Sequence, residues 1–324
     1  MTKSKGRALL QMMPSTGWDG LDVEHEMVLL GRGSEGGRVH PLPRSVNYHL
    51  WKPCNMRCTF CFATFDDMGA GLLPKGHLLQ DDAIAVVATL ARRFEKITFA
   101  GGEPTLCPWL VELMEVAKRA GAVTMLVTNG SRLTPEYLGR LQGKLDWLTL
   151  SIDSASEKTH ALLGRAVKGA AMATERYVEV VGNARALGMR IKVNTVVTTL
   201  NAGEKMSELL LALRPERWKI LQALPVEGQN SGRIEPLVCS KEAFAAFVKR
   251  HRHLEGQGMV LVPEDHEAIT GSYAMVDPAG RFFDDITGQH RYSKPILDVG
   301  LEQAWSQVGF LPQRFEARGG DYEF

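Results

Sequence analysis

The chain has 324 residues, enough for one large α/β domain or two smaller ones. Its 38 basic and 37 acidic residues nearly cancel, which excludes a molecule-wide field gathering nucleic acid. No apolar run is long enough to span a membrane, and five cysteines, three of them clustered, argue for a reducing, cytoplasmic setting over a disulfide framework.

Residues 1–44 carry seven glycines, mixed charges and short apolar pieces without sustained periodicity, and read as a flexible N-terminal extension ending at Pro41-Leu42-Pro43. From residue 45 strand-like runs alternate with helix-period segments, the pattern of a βα series with a parallel sheet. The strands are expected at Val46–Trp51, Ile97–Ala100, Val123–Thr128, Trp147–Ile152, Arg190–Val197 and Trp218–Leu224. Helices are expected near 80–93, 109–120, 134–142, 171–187 and 203–213. Six such units make a partial barrel over residues 45–235. Residues 236–324 then form a C-terminal α/β extension closing over the mouth, with a helix at Lys241–His253, an apolar run at Met259–Val262 and a helix near 300–308.

The first strand runs into Cys54-Asn55-Met56-Arg57-Cys58-Thr59-Phe60-Cys61-Phe62. Three thiolates spaced C-x3-C-x2-C can hold three corners of a [4Fe–4S] cube and leave one iron open. A zinc site would want a fourth ligand, and no second C-x2-C or C-x2-H pair occurs in the sequence. Cys107 and Cys239 lack neighbouring ligands and read as inert buried thiols.

In a parallel barrel, chemistry collects where strands end. The second strand ends in Gly101-Gly102-Glu103-Pro104, glycines that let a ligand approach the backbone closely, followed by a carboxylate suited to an ammonium group. The third ends in Thr128-Asn129-Gly130-Ser131 and the fourth in Ser151-Ile152-Asp153-Ser154; taken alone these are a turn and a helix cap. On the fifth strand, alternation puts Lys192 and Asn194 on one face; on the sixth, Arg217 and Lys219 share a face. Three cations turned into a barrel need an anion, for which a triphosphate is the obvious answer; a solvated strand edge is the plain alternative for Arg217 and Lys219. Mg²⁺ would arrive with the nucleotide. No Walker pattern occurs, so this is not a P-loop. Ser293-Lys294-Pro295 and Ala317-Arg318-Gly319-Gly320 offer two further cations on loops, the latter reading as a flexible terminus or a lid.

The cysteine spacing resembles the radical S-adenosylmethionine (SAM) superfamily. Val46-Asn47-Tyr48-His49, Lys96-Ile97-Thr98-Phe99-Ala100, Arg217-Trp218-Lys219, Pro225-Val226-Glu227-Gly228-Gln229-Asn230, Ile296-Leu297-Asp298-Val299-Gly300 and Arg318-Gly319-Gly320 extend that likeness to prokaryotic members of the viperin family over nearly all of 45–322. The resemblance implies a partial (β/α)6 TIM-like barrel and a [4Fe–4S] cluster on Cys54, Cys58 and Cys61. SAM would be bound by Phe60, Gly101, Gly102, Glu103, Asn129, Ser151 and Arg165. A nucleoside triphosphate would be held by Asn47, Lys96, Lys192, Asn194, Arg217, Lys219, Lys294 and Arg318. The implied reaction takes the ribose 4′ hydrogen with a 5′-deoxyadenosyl radical and loses the 3′ hydroxyl as water. One further electron and a proton then give a chain-terminating, antiviral 3′-deoxy-3′,4′-didehydro nucleotide. Tyr273 matches the tyrosine assigned the last hydrogen, with a buried structural tyrosine as the alternative. Ala100 replaces a serine of the animal proteins, so their CTP preference does not transfer; CTP or UTP is expected, with GTP open. A cellular electron donor is implied, and the chain is expected to act as a monomer without nucleic acid or membrane. The competing readings are a radical SAM enzyme acting on GTP, as in molybdenum-cofactor synthesis, and an interaction protein with a structural cluster.

Overall fold

The computed structural model describes residues 41–69, 72–73 and 75–324, so residues 1–40 of the expected extension lie outside the described residues. The βα series is present as six strands, β1 (Ser45–Trp51), β2 (Lys96–Gly101), β3 (Val123–Thr128), β4 (Trp147–Ser151), β5 (Arg190–Val197) and β6 (Arg217–Gln222). Helices α1 (Gln80–Ala91), α2 (Leu110–Arg119), α3 (Pro135–Leu141), α4 (Glu157–Leu162), α5 (Thr174–Ala186) and α6 (Ser207–Leu213) connect them. Of these, α4 has six residues, too few to show a helical period in sequence. Its N-cap is Ser156, which accepts from the Thr159 amide, and not the Asp153-Ser154 pair.

Each strand divides its residues by the period of two. Val46, Tyr48 and Leu50 of β1, Ile97 and Phe99 of β2, Leu148 and Leu150 of β4, Ile191 and Val193 of β5, and Trp218 and Ile220 of β6 enter one apolar core with the helices. Burying a large side chain there contributes about 1.5–3 kcal/mol. The alternate residues Asn47, His49, Lys96, Thr98, Ser151, Lys192, Asn194 and Lys219 face a cavity on the other side. Register sets neighbours within that face: Lys192 pairs with Arg217, and Asn194 with Lys219.

The last third of the chain builds sheet as well as cover. The run at Met259–Val262 becomes β7 (Val260–Glu264), parallel to β6. The chain then crosses, through helix α7 (His266–Ile269), to the opposite edge, where β8 (Met275–Val276) pairs parallel with β1. β9 (Arg281–Asp284) and β10 (Arg291–Pro295) follow antiparallel. The result is one open ten-stranded sheet in the order β10-β9-β8-β1-β2-β3-β4-β5-β6-β7. The ten residues 265–274 join β7, at one end of that order, to β8, third from the other; with the helix His266–Ile269 among them they reach only about 30 Å, short of the roughly 34 Å that the intervening strand spacings would span in a flat sheet, so the sheet curves. Among the described residues no helix is long and apolar enough to cross a membrane.

Candidate active site

A cavity of about 1000 Å³ fills the concave side of the sheet. That volume is at the upper end for a single drug-sized ligand and accommodates two smaller ones. All three clustered cysteines line it, and all are free thiols.

The cysteine loop is clamped from both sides by backbone. On one side the Gly102 amide donates to the Trp51 carbonyl at 2.5 Å, and the Glu103 amide to that of Pro53 at 2.9 Å. On the other, the Arg57 and Thr59 amides donate to the carbonyls of Gly164 and Leu163, each at 3.1 Å. A Cβ at Gly102 would collide with the carbonyl oxygens of Lys52 and Pro53, and one at Gly164 with that of Arg57. Gly164 also sits at φ +75°, where a side chain is strained. The close approach at the paired glycines is therefore made by the backbone of the cysteine loop, where the sequence reading expects a ligand. Asn230 holds the far end of the loop, its Nδ2 donating to the Phe60 carbonyl at 3.1 Å. Three soft thiolate donors around one cavity suit three irons of a cluster, which would supply single electrons there. Burial pushes the Cys58 thiol up to about 12, with the nearby Arg165 cation opposing that rise.

The residues expected to hold SAM surround this loop. Glu103 is fully buried: its Oε1 accepts from the Thr105 amide (3.0 Å), the Thr105 hydroxyl (2.6 Å) and the Thr128 hydroxyl (2.7 Å). Among the described residues its Oε2 accepts the Asn129 amide alone, at 2.9 Å, and retains acceptor capacity toward the cavity. The Asn129 side chain accepts from the Ser131 amide at 3.0 Å and donates to Asn55 of the cysteine loop at 2.8 Å, joining turn and site. Arg165 is ion-paired with Asp153, whose other oxygen takes the Val196 amide at 2.8 Å. Its guanidinium lies 5.7 Å from the Phe60 ring centre. Ser151 lines the cavity between these groups and the cations.

The other end is cationic. Lys96, Lys192, Lys219 and Arg318 line the cavity, and Arg217 stands beside them, its guanidinium 3.9 Å from the Tyr322 ring centre. Burial first, and neighbouring cations second, hold Lys96 and Lys192 well below the usual lysine value. Lys219 is lowered to about 8, again chiefly by burial, with Glu264 opposing. Among the described residues, the ion pairs of these five cations run to one carboxylate, Glu264, at 2.6 Å from Lys219 and 3.3 Å from Arg318. Lys96 donates to the Tyr322 hydroxyl at 2.7 Å, and the Phe324 ring centre lies 3.7 Å from its ammonium, so the segment after Arg318 covers these cations. Among the described residues, the buried Asn194 Oδ1 and Arg217 Nε have no partner, polar atoms fit for a hydroxyl and an anion. Asn47 and Tyr273 also face the cavity.

The structure does not bring Lys294 into this group. It is exposed on β10 at the far edge of the sheet and is not among the lining residues. Glu264 and Tyr322 carry no role in the sequence reading: the first lies in a short apolar run, the second in a tail that resembles flexible chain. His49, also unassigned there, lines the cavity as a neutral imidazole lowered by burial to about 3.

The radical SAM superfamily profile matches residues 50–213, from within β1 to the end of α6. The S-adenosylmethionine-dependent nucleotide dehydratase of Lacinutrix mariniflava is 45% identical over 282 residues, 86% of this chain and 58% of that protein. The chain thus spans little more than half the length of that relative. The S-adenosylmethionine-dependent nucleotide dehydratase of Flammeovirga pacifica is 44% identical over 281 residues, covering 86% of this chain and 96% of that protein. The chain belongs to this family of radical SAM nucleotide dehydratases. A fish member, from Danio rerio, is 34% identical, covering 89% of this chain and 80% of its own. Among solved structures, anSMEcpe with bound AdoMet superposes with a TM-score of 0.62 at 16% identity, covering 86% and 82% of the two chains. SuiB bound to its precursor peptide also gives 0.62, at 14% identity, covering 85% and 66%. At such identities the likeness establishes the fold alone. Membership of the radical SAM family implies a [4Fe–4S] cluster and SAM as cofactors.

Proposed function

We propose that this dehydratase acts on a ribonucleoside triphosphate, CTP or UTP, and converts it to the 3′-deoxy-3′,4′-didehydro analogue. The observation that carries this reading is the charge of the cavity's second end. Five cations, three of them buried lysines, have one carboxylate between them among the described residues. Such a set is costly until an anion of several charges meets it, and a triphosphate has both the charge and the length. With the phosphates there, Asn194 contacts the ribose and Asn47 lies near the nucleoside, with the ribose toward the cysteine end where SAM is cleaved. Mg²⁺ comes bound to the phosphates. Loss of the 4′ hydrogen and departure of the 3′ hydroxyl as water leave a radical cation that one further electron completes. The product lacks the hydroxyl a polymerase extends from, which fits an antiviral role. Ala100 lines the cavity without a hydroxyl, so discrimination between bases rests on other groups. We place the chain in the cytoplasm, as a monomer served by a cellular one-electron donor and acting apart from nucleic acid and membrane.

The test is anaerobic. Protein with reconstituted cluster receives reductant, SAM and CTP, UTP, GTP or ATP separately, and mass spectrometry follows 5′-deoxyadenosine and a nucleotide lighter by one water. Stimulation by one pyrimidine triphosphate with formation of that product is expected. 5′-Deoxyadenosine without any lighter nucleotide would overturn the substrate assignment.

A further inference from the structure

Behind the cations lies a group that does not line the cavity. Glu264, the last residue of β7, is fully buried. Its Oε1 accepts from Lys219 Nζ at 2.6 Å and from Arg318 Nη1 at 3.3 Å. Its Oε2 accepts the hydroxyl of Tyr273. Lys219 Nζ also donates to the Tyr273 oxygen at 2.5 Å, and the Arg318 guanidinium lies 3.7 Å from the Tyr273 ring centre. Arg318 is fixed further by Ser272, whose hydroxyl and carbonyl accept from it at 2.8 Å each. Lys219, Arg318 and Tyr273 all face the cavity, so one hidden carboxylate touches three of the groups that line it.

The direction of the Tyr273 bond follows from donor counting. Burial pushes the Glu264 carboxyl up, but Lys219 and Arg318 outweigh it and hold the group below the usual range, so it is an anion and only accepts. An ammonium has no lone pair, so Lys219 only donates. The phenol proton therefore points at Glu264, away from the cavity, and cannot leave toward a ligand without breaking a charge-assisted bond.

We propose that Glu264 is a positioning residue for the dehydration: it aims Lys219 and Arg318 at the phosphates and receives the Tyr273 proton when that tyrosine gives up an electron. This rests on the proposed function. The balance is simple. Tyr273 phenol and Glu264 carboxylate become a neutral phenoxyl radical and a carboxylic acid. The electron reduces the nucleotide radical cation left after water has departed, giving the closed-shell product. One electron from the external reductant and the proton returned by Glu264 restore the phenol. Tyr273 thus supplies the last electron while its hydrogen stays in the protein.

The experiment uses the full chain with reconstituted cluster, in the wild type, Glu264→Gln, Glu264→Asp, Tyr273→Phe and the Glu264→Gln/Tyr273→Phe double variant. Inorganic tripolyphosphate binding is measured by calorimetry, and dehydrated nucleotide formed per 5′-deoxyadenosine gives the coupling. Glu264→Gln is expected to weaken tripolyphosphate about tenfold, a loss of about 1.4 kcal/mol, and to lower coupling about fivefold. Glu264→Asp, which keeps the charge and the fold, should recover part of both. Tyr273→Phe should lose coupling alone, and adding Glu264→Gln to it should cost affinity but no further coupling. Wild-type affinity and coupling in Glu264→Gln would overturn the proposal. So would a coupling loss in the double variant equal to the product of the two single losses. If Glu264→Gln fails to load its cluster, unaltered affinity and coupling in Glu264→Asp overturn it instead. A wild type that makes 5′-deoxyadenosine but no lighter nucleotide from any triphosphate would sink the proposed function, and with it the electron role. The tripolyphosphate arm would still decide the aiming of Lys219 and Arg318.

Discussion

At the cysteine end of the cavity the decisive contacts are backbone against backbone, with Gly102 and Gly164 admitting carbonyls where a Cβ has no room. At the cationic end they are long charged side chains brought together by strand register, with Glu264 behind them. The first arrangement is stable without its ligand and tolerates almost no change of shape. The second tolerates changes of shape but holds charges whose burial is unfavourable until an anion arrives. A reactive cluster needs a fixed loop, whereas a nucleotide that enters and leaves at each turnover is better served by stored electrostatic demand.

Four experiments would break or sharpen that contrast. Cys58→Ser should act most strongly, abolishing the iron–sulfur absorbance and 5′-deoxyadenosine formation; a loaded, active variant would refute the ligand assignment. Gly102→Ala should come next, lowering stability by about 3 kcal/mol and reducing cluster loading, read by thermal melting and iron content. Lys192→Met should do the reverse, leaving the melting temperature unchanged or higher because a buried unpaired cation is gone. Its nucleotide KM should rise about 30-fold, in keeping with about 2 kcal/mol for a lost buried charge contact. Equal melting losses in Gly102→Ala and Lys192→Met would erase the distinction between the two ends. The smallest effect is on pH. Lys219, lowered to about 8 by burial with Glu264 opposing, is protonated below that pH and neutral above it. A bound phosphate favours its charged form, so binding takes up a proton above about pH 8 and nucleotide affinity falls as pH rises from 7 to 9. Calorimetry in buffers of different ionisation enthalpy would detect the uptake; pH-independent affinity over that window would remove Lys219 from the phosphate site.

Much of this was legible in the residues themselves. Strict alternation along Ile191-Lys192-Val193-Asn194 announces which face meets the core, because a strand cannot bury both sets on one side. The cysteine spacing is legible because three thiolates in eight residues have few other uses. Glu264 was hidden for a physical reason: Val260-Leu261-Val262-Pro263-Glu264 looks like an apolar run stopped by turn residues, and only parallel pairing with β6 turns it into a strand whose last carboxylate meets Lys219. Tyr322 was hidden by its Arg-Gly-Gly surroundings, whose local preference is for open chain. Lys294 shows the opposite error: the resemblance places it on the phosphates, yet an antiparallel edge strand carries it to solvent. The paired glycines mark a place of close approach, but nothing in the sequence says that the approaching group is the Lys52-Pro53 backbone and not a ligand.

One feature of the topology has a mechanical side. Residues 265–274 cross from β7, at one end of the strand order, to β8, third from the other, and the Glu264–Tyr273 contact ties the start of that crossing to its finish. The curved sheet is thus a hoop fastened at several points, among them the Glu227 amide on the Gly288 carbonyl at 2.8 Å and the Glu264–Tyr273 contact, and the second fastening touches the cations proposed to meet the nucleotide. Each arriving triphosphate should tighten the hoop, and each departing product should loosen it. Hydrogen exchange in β7 and β8 would then follow occupancy, while β2 to β4, deep in the band, would hold their amides at the same rate throughout.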